Sequence, residues 1–289
     1  TKAIQKAAKL FSDIKNADEL GIVIKDATAN MSQIIEHKNK IVNQLVTGVK
    51  YLLKKNKISF LQGKARLLEK NKIEIKTQNG SQQINAAKVI LAVGSNNFLP
   101  NIPGLNGSGV IDSTKALSLM EIPESMVIIG GGVIGCEFAC IYNALGCKVT
   151  IIELLPSIIP NMDQDVQKFL QKQMKSQGIN IIVNAKVLEV MDNKENSKTV
   201  KYLLGEKEET INVEKVFVSV GRKPNSENLG LEEIGVNMKK GWIQVDGTME
   251  TSVPGIFAAG DITGQNLLAH VASEEGIIAA ENALGLKKE

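Results

Sequence analysis

Cysteine, histidine and net charge are all scarce in this 289-residue sequence, and each scarcity excludes a class of function. Three cysteines occur, at positions 136, 140 and 147. An odd, clustered set rules out a secreted disulfide framework and fits a reducing compartment. There is no Cys-x-x-Cys spacing and no neighbouring histidine. Cys136, Cys140 and Cys147 are therefore expected to be small buried residues, not a redox pair or a metal site. His37 falls on the polar side of a predicted helix and is expected to be exposed. No metal is expected. Basic residues number 34 and acidic ones 31, a net charge of +3 with the lysines scattered, so no nucleic-acid-binding patch is expected. The one local cluster, "LLKKNK" at 52–57, reads as a helix end, where cations complement the macrodipole. No basic-then-apolar leader is visible. The sequence opens on Thr1, and the natural start is expected to lie elsewhere. A single segment imitates a membrane span: from Met126 to Cys147 the only charge is Glu137. It holds five glycines, and a mid-span charge is costly to insert. A buried strand, a glycine turn and a helix explain it better.

What is present is the composition of an ordinary globular chain, 43% hydrophobic and 22% charged, long enough for two domains. A short helix is predicted over 1–11 and a long one over about 27–56. The long one carries an apolar stripe of helical period: Met31, Ile34, Ile35, Ile41, Val42, Leu45, Val49, Leu52 and Leu53. Short β-type runs follow, "ISFL", "KIEI" and "KVILAVGS", the last at 88–95. The proline-bounded "LPNIPGL" at 99–105 reads as a domain boundary. Beyond it come strand, glycine turn, helix and strand, then a helix near 163–177, strand "INIIV", "KVFVSVGRKPN" at 215–225, "GWIQVD", "GIFAAGDITG" and a final helix over Ala269–Leu284. This alternation indicates an α/β architecture. The one recurrence is of strands ending in glycine, at 94, 130, 221 and 260.

Two of those glycine ends carry candidate sites. Gly130-x-Gly132-x-x-Gly135 follows the apolar "MVII" and opens a helix. Gly130 permits the tight turn, Gly132 lets the backbone approach a pyrophosphate, and Gly135 lets helix and strand pack closely. The helix start offers free N–H groups and a positive dipole end. Glu153 closes the next strand, "KVTIIE", where an acid accepts from adenosine ribose hydroxyls. The plain alternative, a glycine turn without a ligand, is weaker in this strand–helix context. Glu153 also selects the cofactor, since a 2′-phosphate beside it would meet a repulsion of about 1–4 kcal/mol. No arginine in "LLPSIIPNMD" reverses this, so NAD(H) is expected over NADP(H). The second site is Asp261, after Gly260, at the carboxyl end of a strand where ligands bind in open α/β sheets. By itself "GDITG" is equally well a turn.

Taken together, "TKA", "LLKKNKI", "GGGVIGCE", "VTIIE", "VGRKPNSENLGLEEIGV", "GIFAAGDITG" and "LLAHVASEEG" resemble, in order and spacing, the flavoprotein pyridine nucleotide-disulfide oxidoreductase family, and within it the dihydrolipoamide dehydrogenases. The resemblance implies a Rossmann-like NAD domain of the three-layer ββα type at 104–228, packed on a partial FAD domain from 1–103 and 229–289. It implies FAD and NAD as cofactors. Asp261 would bond the FAD ribityl chain, and Leu267, Leu268, Ala269 and His270 would border the flavin, their main-chain N–H groups favouring negative charge on it. Gly63, Gly94 and Ser95 match other FAD-contacting positions. Val93 stands where the family usually has Thr, which removes a hydroxyl. The NAD site would run over Gly130, Gly131, Gly132, Val133, Ile134, Gly135, Cys136 and Glu137, with Glu153, Val187 and Gly221. Lys2 matches a lysine near the flavin and Glu137 its acidic partner. The plain alternative makes Glu137 an acid in a first helical turn and Lys2 merely solvated.

The resemblance further implies what this sequence does not contain: the paired redox cysteines, a first glycine-rich FAD motif, and an interface domain with a His–Glu base. The chain is thus expected to be an internal fragment with no catalytic residues of its own. The parent enzyme would be a homodimer, bacterial-cytoplasmic or mitochondrial, acting on dihydrolipoyl groups of a 2-oxo acid dehydrogenase complex. Another NAD-dependent disulfide reductase and a non-catalytic NAD-binding module remain the alternatives.

Overall fold

The computed structural model describes residues 1–193, 197–286 and 288. In chain order its elements are α1 (Lys2–Lys15), α2 (Met31–Lys55), β1 (Lys64–Glu69), β2 (Lys72–Thr77), β3 (Gly80–Asn85), β4 (Val89–Leu91), β5 (Ser95–Asn97), β6 (Val110–Ile111), α3 (Ser113–Ala116), β7 (Ser125–Ile129), α4 (Val133–Ala144), β8 (Lys148–Ile152), α5 (Gln164–Ser176), β9 (Asn180–Ile182), β10 (Ala185–Asp192), β11 (Lys198–Leu204), β12 (Lys207–Val213), β13 (Lys215–Val218), β14 (Arg222–Pro224), β15 (Met238–Lys239), β16 (Trp242–Ile243), β17 (Ile256–Ala258) and α6 (Ala269–Ala283). They form two units. One joins Thr1–Asn56 to Asn97–Gly221, the other Lys57–Asn96 to Arg222–Glu289.

The first unit is built on a five-stranded sheet in the order β6-β13-β7-β8-β9, all of its pairings parallel. The central strand β7 shows why an apolar run is needed there. Met126 and Ile128 point into one core, with Ile4, Phe138, Ala139 and Phe217. Val127 and Ile129 point into another, with Val187, Val190, Val200 and Tyr202 of the antiparallel sheet β10-β11-β12. Both faces of the strand are buried, as a parallel sheet requires, and each such side chain contributes about 1.5–3 kcal/mol on burial. Helices, parallel sheet and antiparallel sheet thus make three layers, a mixed α/β architecture in agreement with the expected ββα arrangement. The connector "LPNIPGL" lies against β10: the Val190 N–H donates to Pro103 O at 2.9 Å, and a Cβ on Gly104 would stand 1.7 Å from Val190 O.

The packing divides the expected first segment, 1–103. Thr1–Asn56 groups with the parallel-sheet unit because Ile4, Ala8, Met31 and Ile35 sit in the same core as Phe138 and Tyr142 of α4. Helix α1 runs four residues past the expected end at 11. Helix α2 begins at Met31, not 27, because the Asn30 side chain caps it, accepting from the Gln33 N–H at 3.1 Å. Its last turn holds Lys54 and Lys55, as "LLKKNK" suggests. The predicted stripe is buried only at its start. Val42, Leu45, Val49 and Leu52 are exposed.

In the second unit β1-β2-β3 form an antiparallel sheet, while β17 pairs with β4 in parallel, Ile256 with Val89 and Ala258 with Leu91. Leu67, Leu91, Leu231, Ile243, Ile256 and Ile262 make its core. Helix α6 joins through Ala279, beside Phe257 and Ala259. Two expected strands need correction. "ISFL" is not a strand, since it finds no pairing partner among the described residues, and Ile58, Phe60 and Leu61 are exposed. In "GWIQVD" only Trp242 and Ile243 belong to a strand. Among the described residues no helix is long and apolar enough to cross a membrane.

Candidate functional site

In the first unit the glycine loop joins the end of β7 to the start of α4. Gly130 takes φ of +101°, a conformation that favours glycine, and a Cβ there would lie 2.6 Å from Ser219 O. A Cβ on Gly135 would fall 2.1 Å from Gly130 O, so this glycine lets helix and loop touch. Gly132 is different. It caps α4 with an extended backbone, and a Cβ there would meet nothing within 4 Å. The first intrahelical bond is made by the Cys136 N–H, to Gly132 O, which leaves the Val133, Ile134 and Gly135 N–H groups without helical acceptors. No acidic side chain of the helix itself lies in this first turn. The open ground over Gly132 and the donors beside it form a cradle a phosphate could occupy.

Glu153 stands directly after β8 and is buried. The Gly131 N–H donates to its Oε2 at 2.5 Å, and the Leu155 N–H to its Oε1 at 2.8 Å. These charge-assisted bonds fix the carboxylate against the loop. Each oxygen keeps a lone pair, so acceptor capacity toward a ribose hydroxyl remains. Cys136, also in the loop's helix, turns its thiol to Gly131 O at 3.3 Å. Burial pushes that thiol up to about 12, with Cys140 and Glu153 adding to the effect, and burial does the same to Cys147. Thiolates are scarce at neutral pH under those conditions. All three cysteines are free, and Cys136 and Cys147 are buried while Cys140 is half-buried. Among the described residues no cluster could hold a metal ion. Val187 is buried in β10, and Gly221, at φ of +123°, has open space around its Cα.

Lys2 and Glu137, far apart in sequence, meet in this unit at 2.7 Å, Nζ to Oε1. Glu137 lies beyond the first turn of α4, which corrects the alternative that placed it there for the dipole. His37 is exposed.

In the second unit the chain leaves β17 into a 3-10 turn, Gly260–Thr263, that carries Asp261. The Asp261 carboxylate is already held: Ser95 Oγ donates to its Oδ2 at 2.7 Å, and Arg222 Nε stands 3.5 Å from the same oxygen. Arg222 and Glu275 stand inside the stretches "VGRKPNSENLGLEEIGV" and "LLAHVASEEG", but neither is assigned a role by the sequence. Glu275, on α6, is buried and accepts from the Gly260 N–H at 2.6 Å. The sequence signals for it are its place in the stretch "LLAHVASEEG" and an acid at an otherwise inward position of the helix. Leu268 caps α6, so the chain enters the helix at Ala269 with the N–H groups of Ala269, His270 and Val271 lacking helical partners. Leu267, Leu268, Ala269 and His270 are all exposed.

The remaining expected residues have structural duties of their own. A Cβ on Gly63 would lie 2.6 Å from Lys76 O, so glycine is needed there for packing on β2. Val93 presents its carbonyl to Asn225 Nδ2 at 2.9 Å, and Gly94, at φ of +68°, accepts from the Asn225 N–H at 3.1 Å.

Comparison with known proteins bears on the family of the chain. The family model described as pyridine nucleotide-disulphide oxidoreductase matches residues 2–276. A dihydrolipoyl dehydrogenase of Bacillus subtilis is 39% identical over 288 residues, covering 99% of this chain and 62% of the relative. One of Acholeplasma laidlawii is 38% identical, covering 98% and 83%, and one of Geobacillus stearothermophilus is 37% identical, covering 99% and 60%. The chain therefore spans about three-fifths of the length of most of these relatives. A solved HOCl-induced flavoprotein disulfide reductase of Escherichia coli, RclA in its Cu(II) complex, superposes with a TM-score of 0.85 at 27% identity, over 98% of this chain and 60% of that one. Matched over nearly all of its length, and with the glycine loop and acid in place, the chain belongs to the pyridine nucleotide-disulphide oxidoreductase family.

Proposed function

We propose that this chain is the nicotinamide-binding part and some of the flavin cradle of a dihydrolipoyl dehydrogenase. One observation carries the reading: the open ground over Gly132, beside three N–H groups without helical acceptors, in a loop whose Gly131 bonds Glu153. In this reading residues 104–228 form the NAD domain, and the FAD-binding portion draws on 1–103 and 229–289. Gly132, Val133, Ile134 and Gly135 hold the NAD pyrophosphate, and Glu153 accepts from the adenosine ribose. Val187 and Gly221 line the rest of the cleft. Asp261 meets the FAD ribityl chain. The exposed start of α6, Leu267 to His270, faces the flavin, where unpaired N–H groups stabilise negative charge. The Lys2–Glu137 pair lies on the flavin side of the nicotinamide. Bound FAD and NAD⁺ supply the two-electron chemistry; these residues bind and orient them. The substrate is a dihydrolipoyl group of a 2-oxo acid dehydrogenase complex, as the relatives' names support.

The likeness to RclA favours a second, broader reading, an NAD-dependent reductase of another disulfide. Titrating the purified chain with NADH and NADPH tests the cofactor half common to both. NADH is expected to bind at least about tenfold more tightly, given the repulsion between Glu153 and a 2′-phosphate, and Glu153→Gln should narrow the gap. Equal affinities would defeat the specificity argument. No redox-active cysteine pair stands in the sequence, so no dihydrolipoamide oxidation is expected from the chain alone. Measurable turnover would overturn that half of the reading.

A further inference from the structure

The Asp261 turn was expected to use Ser95 as a flavin ligand, but the hydrogen-bond accounting gives Ser95 another task. A serine hydroxyl has one proton. Ser95 Oγ gives it to Asp261 Oδ2 at 2.7 Å, and the same oxygen accepts from Arg222 Nε at 2.6 Å. Arg222 closes a fork on this residue, its Nη2 donating to Ser95 O at 2.6 Å. The guanidinium therefore holds Ser95 by main chain and side chain at once, in the planar geometry that arginine pre-organises. Its Nε lies 3.5 Å from the Asp261 carboxylate. Three segments remote in sequence are tied at one point. Asp261 Oδ1 accepts no hydrogen bond among the described residues, and the side chain is 28% exposed, enough for a ligand to reach.

We infer that Ser95 and Arg222 are positioning residues which lock Asp261 Oδ2, so that Asp261 meets a ribityl hydroxyl through Oδ1 alone and the Ser95 side chain does not touch the flavin. The inference deepens the flavin reading above and rests on it. Arg222 completes the set: with its charge beside the carboxylate, the turn presents an oriented acceptor in place of a free anion.

The test is a double-mutant cycle on the purified chain, read by quenching of FAD fluorescence and, without FAD, by thermal denaturation. Asp261→Asn is expected to weaken FAD about tenfold. Ser95→Ala alone should weaken it about threefold, and by less than twofold in the Asp261→Asn background, because its effect passes through Asp261. Equal factors in both backgrounds would mean that Ser95 contacts the flavin itself, and would overturn the inference while leaving the flavin site intact. If Asp261→Asn leaves FAD affinity unchanged, the flavin reading of this turn falls and takes the inference with it. In the absence of FAD the two substitutions should be non-additive in melting temperature; additivity would show that the lock is absent in solution and overturn the inference independently. Arg222→Lys, which cannot form the fork, should behave as Ser95→Ala does. Wild-type affinity for that variant would also count against the lock.

Discussion

The two candidate sites begin alike and are built differently. Each pairs a glycine of positive φ after a parallel strand with a carboxylate that the sequence marks: Gly130 with Glu153, which stands after the neighbouring strand β8, and Gly260 with Asp261, the next residue. In the first, the acid accepts from the main chain of the glycine loop and of its own loop, and the surface left for a ligand is backbone: Gly132 and the N–H groups after it. In the second, the backbone at the strand end is taken up and the turn offers a side chain, with free N–H groups only farther on, at the start of α6. The Gly260 N–H goes to Glu275, and Asp261 is fixed by Ser95 and Arg222. A backbone site depends on spacing and on the absence of side chains. A side-chain site depends on residues brought together by the fold. The two should fail in different ways when altered.

The largest effect is expected where the backbone site has no slack. Gly135→Ala places a methyl group 2.1 Å from Gly130 O and 2.8 Å from Ser219 Oγ, and both neighbours are themselves held, Ser219 by the Ile129 and Gly130 carbonyls. A loss of roughly 3 kcal/mol or more is expected from overpacking of this kind, seen as a melting midpoint lower by roughly 6 °C or more in a chain of this size. A midpoint within a degree of wild type would show that the close approach of helix and loop is not needed.

Next comes the buried acid of the side-chain site. Glu275→Leu strands the Gly260 N–H in a dry interior, a cost of about 1–3 kcal/mol. Glu275→Gln keeps an oxygen for that donor and should recover most of the loss. Chemical denaturation of the three proteins measures both steps. If Leu and Gln variants prove equally stable, the bond to Gly260 contributes nothing and α6 is held by Ala279 and its neighbours alone.

The same contrast explains what the sequence allowed to be read. The glycine loop, Glu153 and the strands around them were legible because their information is local: a period-free apolar run, a glycine spacing, an acid at a fixed remove. Even the Lys2–Glu137 pair needed a family pattern, not the local sequence, to be expected. Arg222 and Glu275 were not legible. Their partners lie 127 and 15 residues away, and neither stands at a spacing that announces a bond. The "ISFL" run misled for a related reason, since β propensity describes a surface suited to pairing and supplies no partner. The apolar stripe of α2 was a correct sign of a helix but could not say how much of it this chain covers. Met31 and Ile35 found a core; Val42 to Leu52 did not.

The smallest change should separate binding from folding most sharply. Gly132 sits at φ of −70°, which any residue adopts, and a Cβ there would touch no atom of the protein. Gly132→Ala should therefore leave the melting midpoint nearly unchanged, since the reduced freedom of the unfolded chain, about 0.4–1 kcal/mol, offsets the poorer helix cap that alanine makes. The methyl group instead occupies the ground a pyrophosphate must enter to reach the N–H groups of Val133 and Ile134. NADH affinity is expected to fall at least about tenfold, equivalent to about 1.4 kcal/mol. Titration and melting of the same sample measure the two together. Undiminished NADH affinity would show that no ligand approaches this backbone, and Gly132 would then be a turn residue whose small size serves nothing. Loss of affinity with full stability is the signature of a glycine kept bare for a ligand, in contrast to Gly135, which is kept bare for the fold.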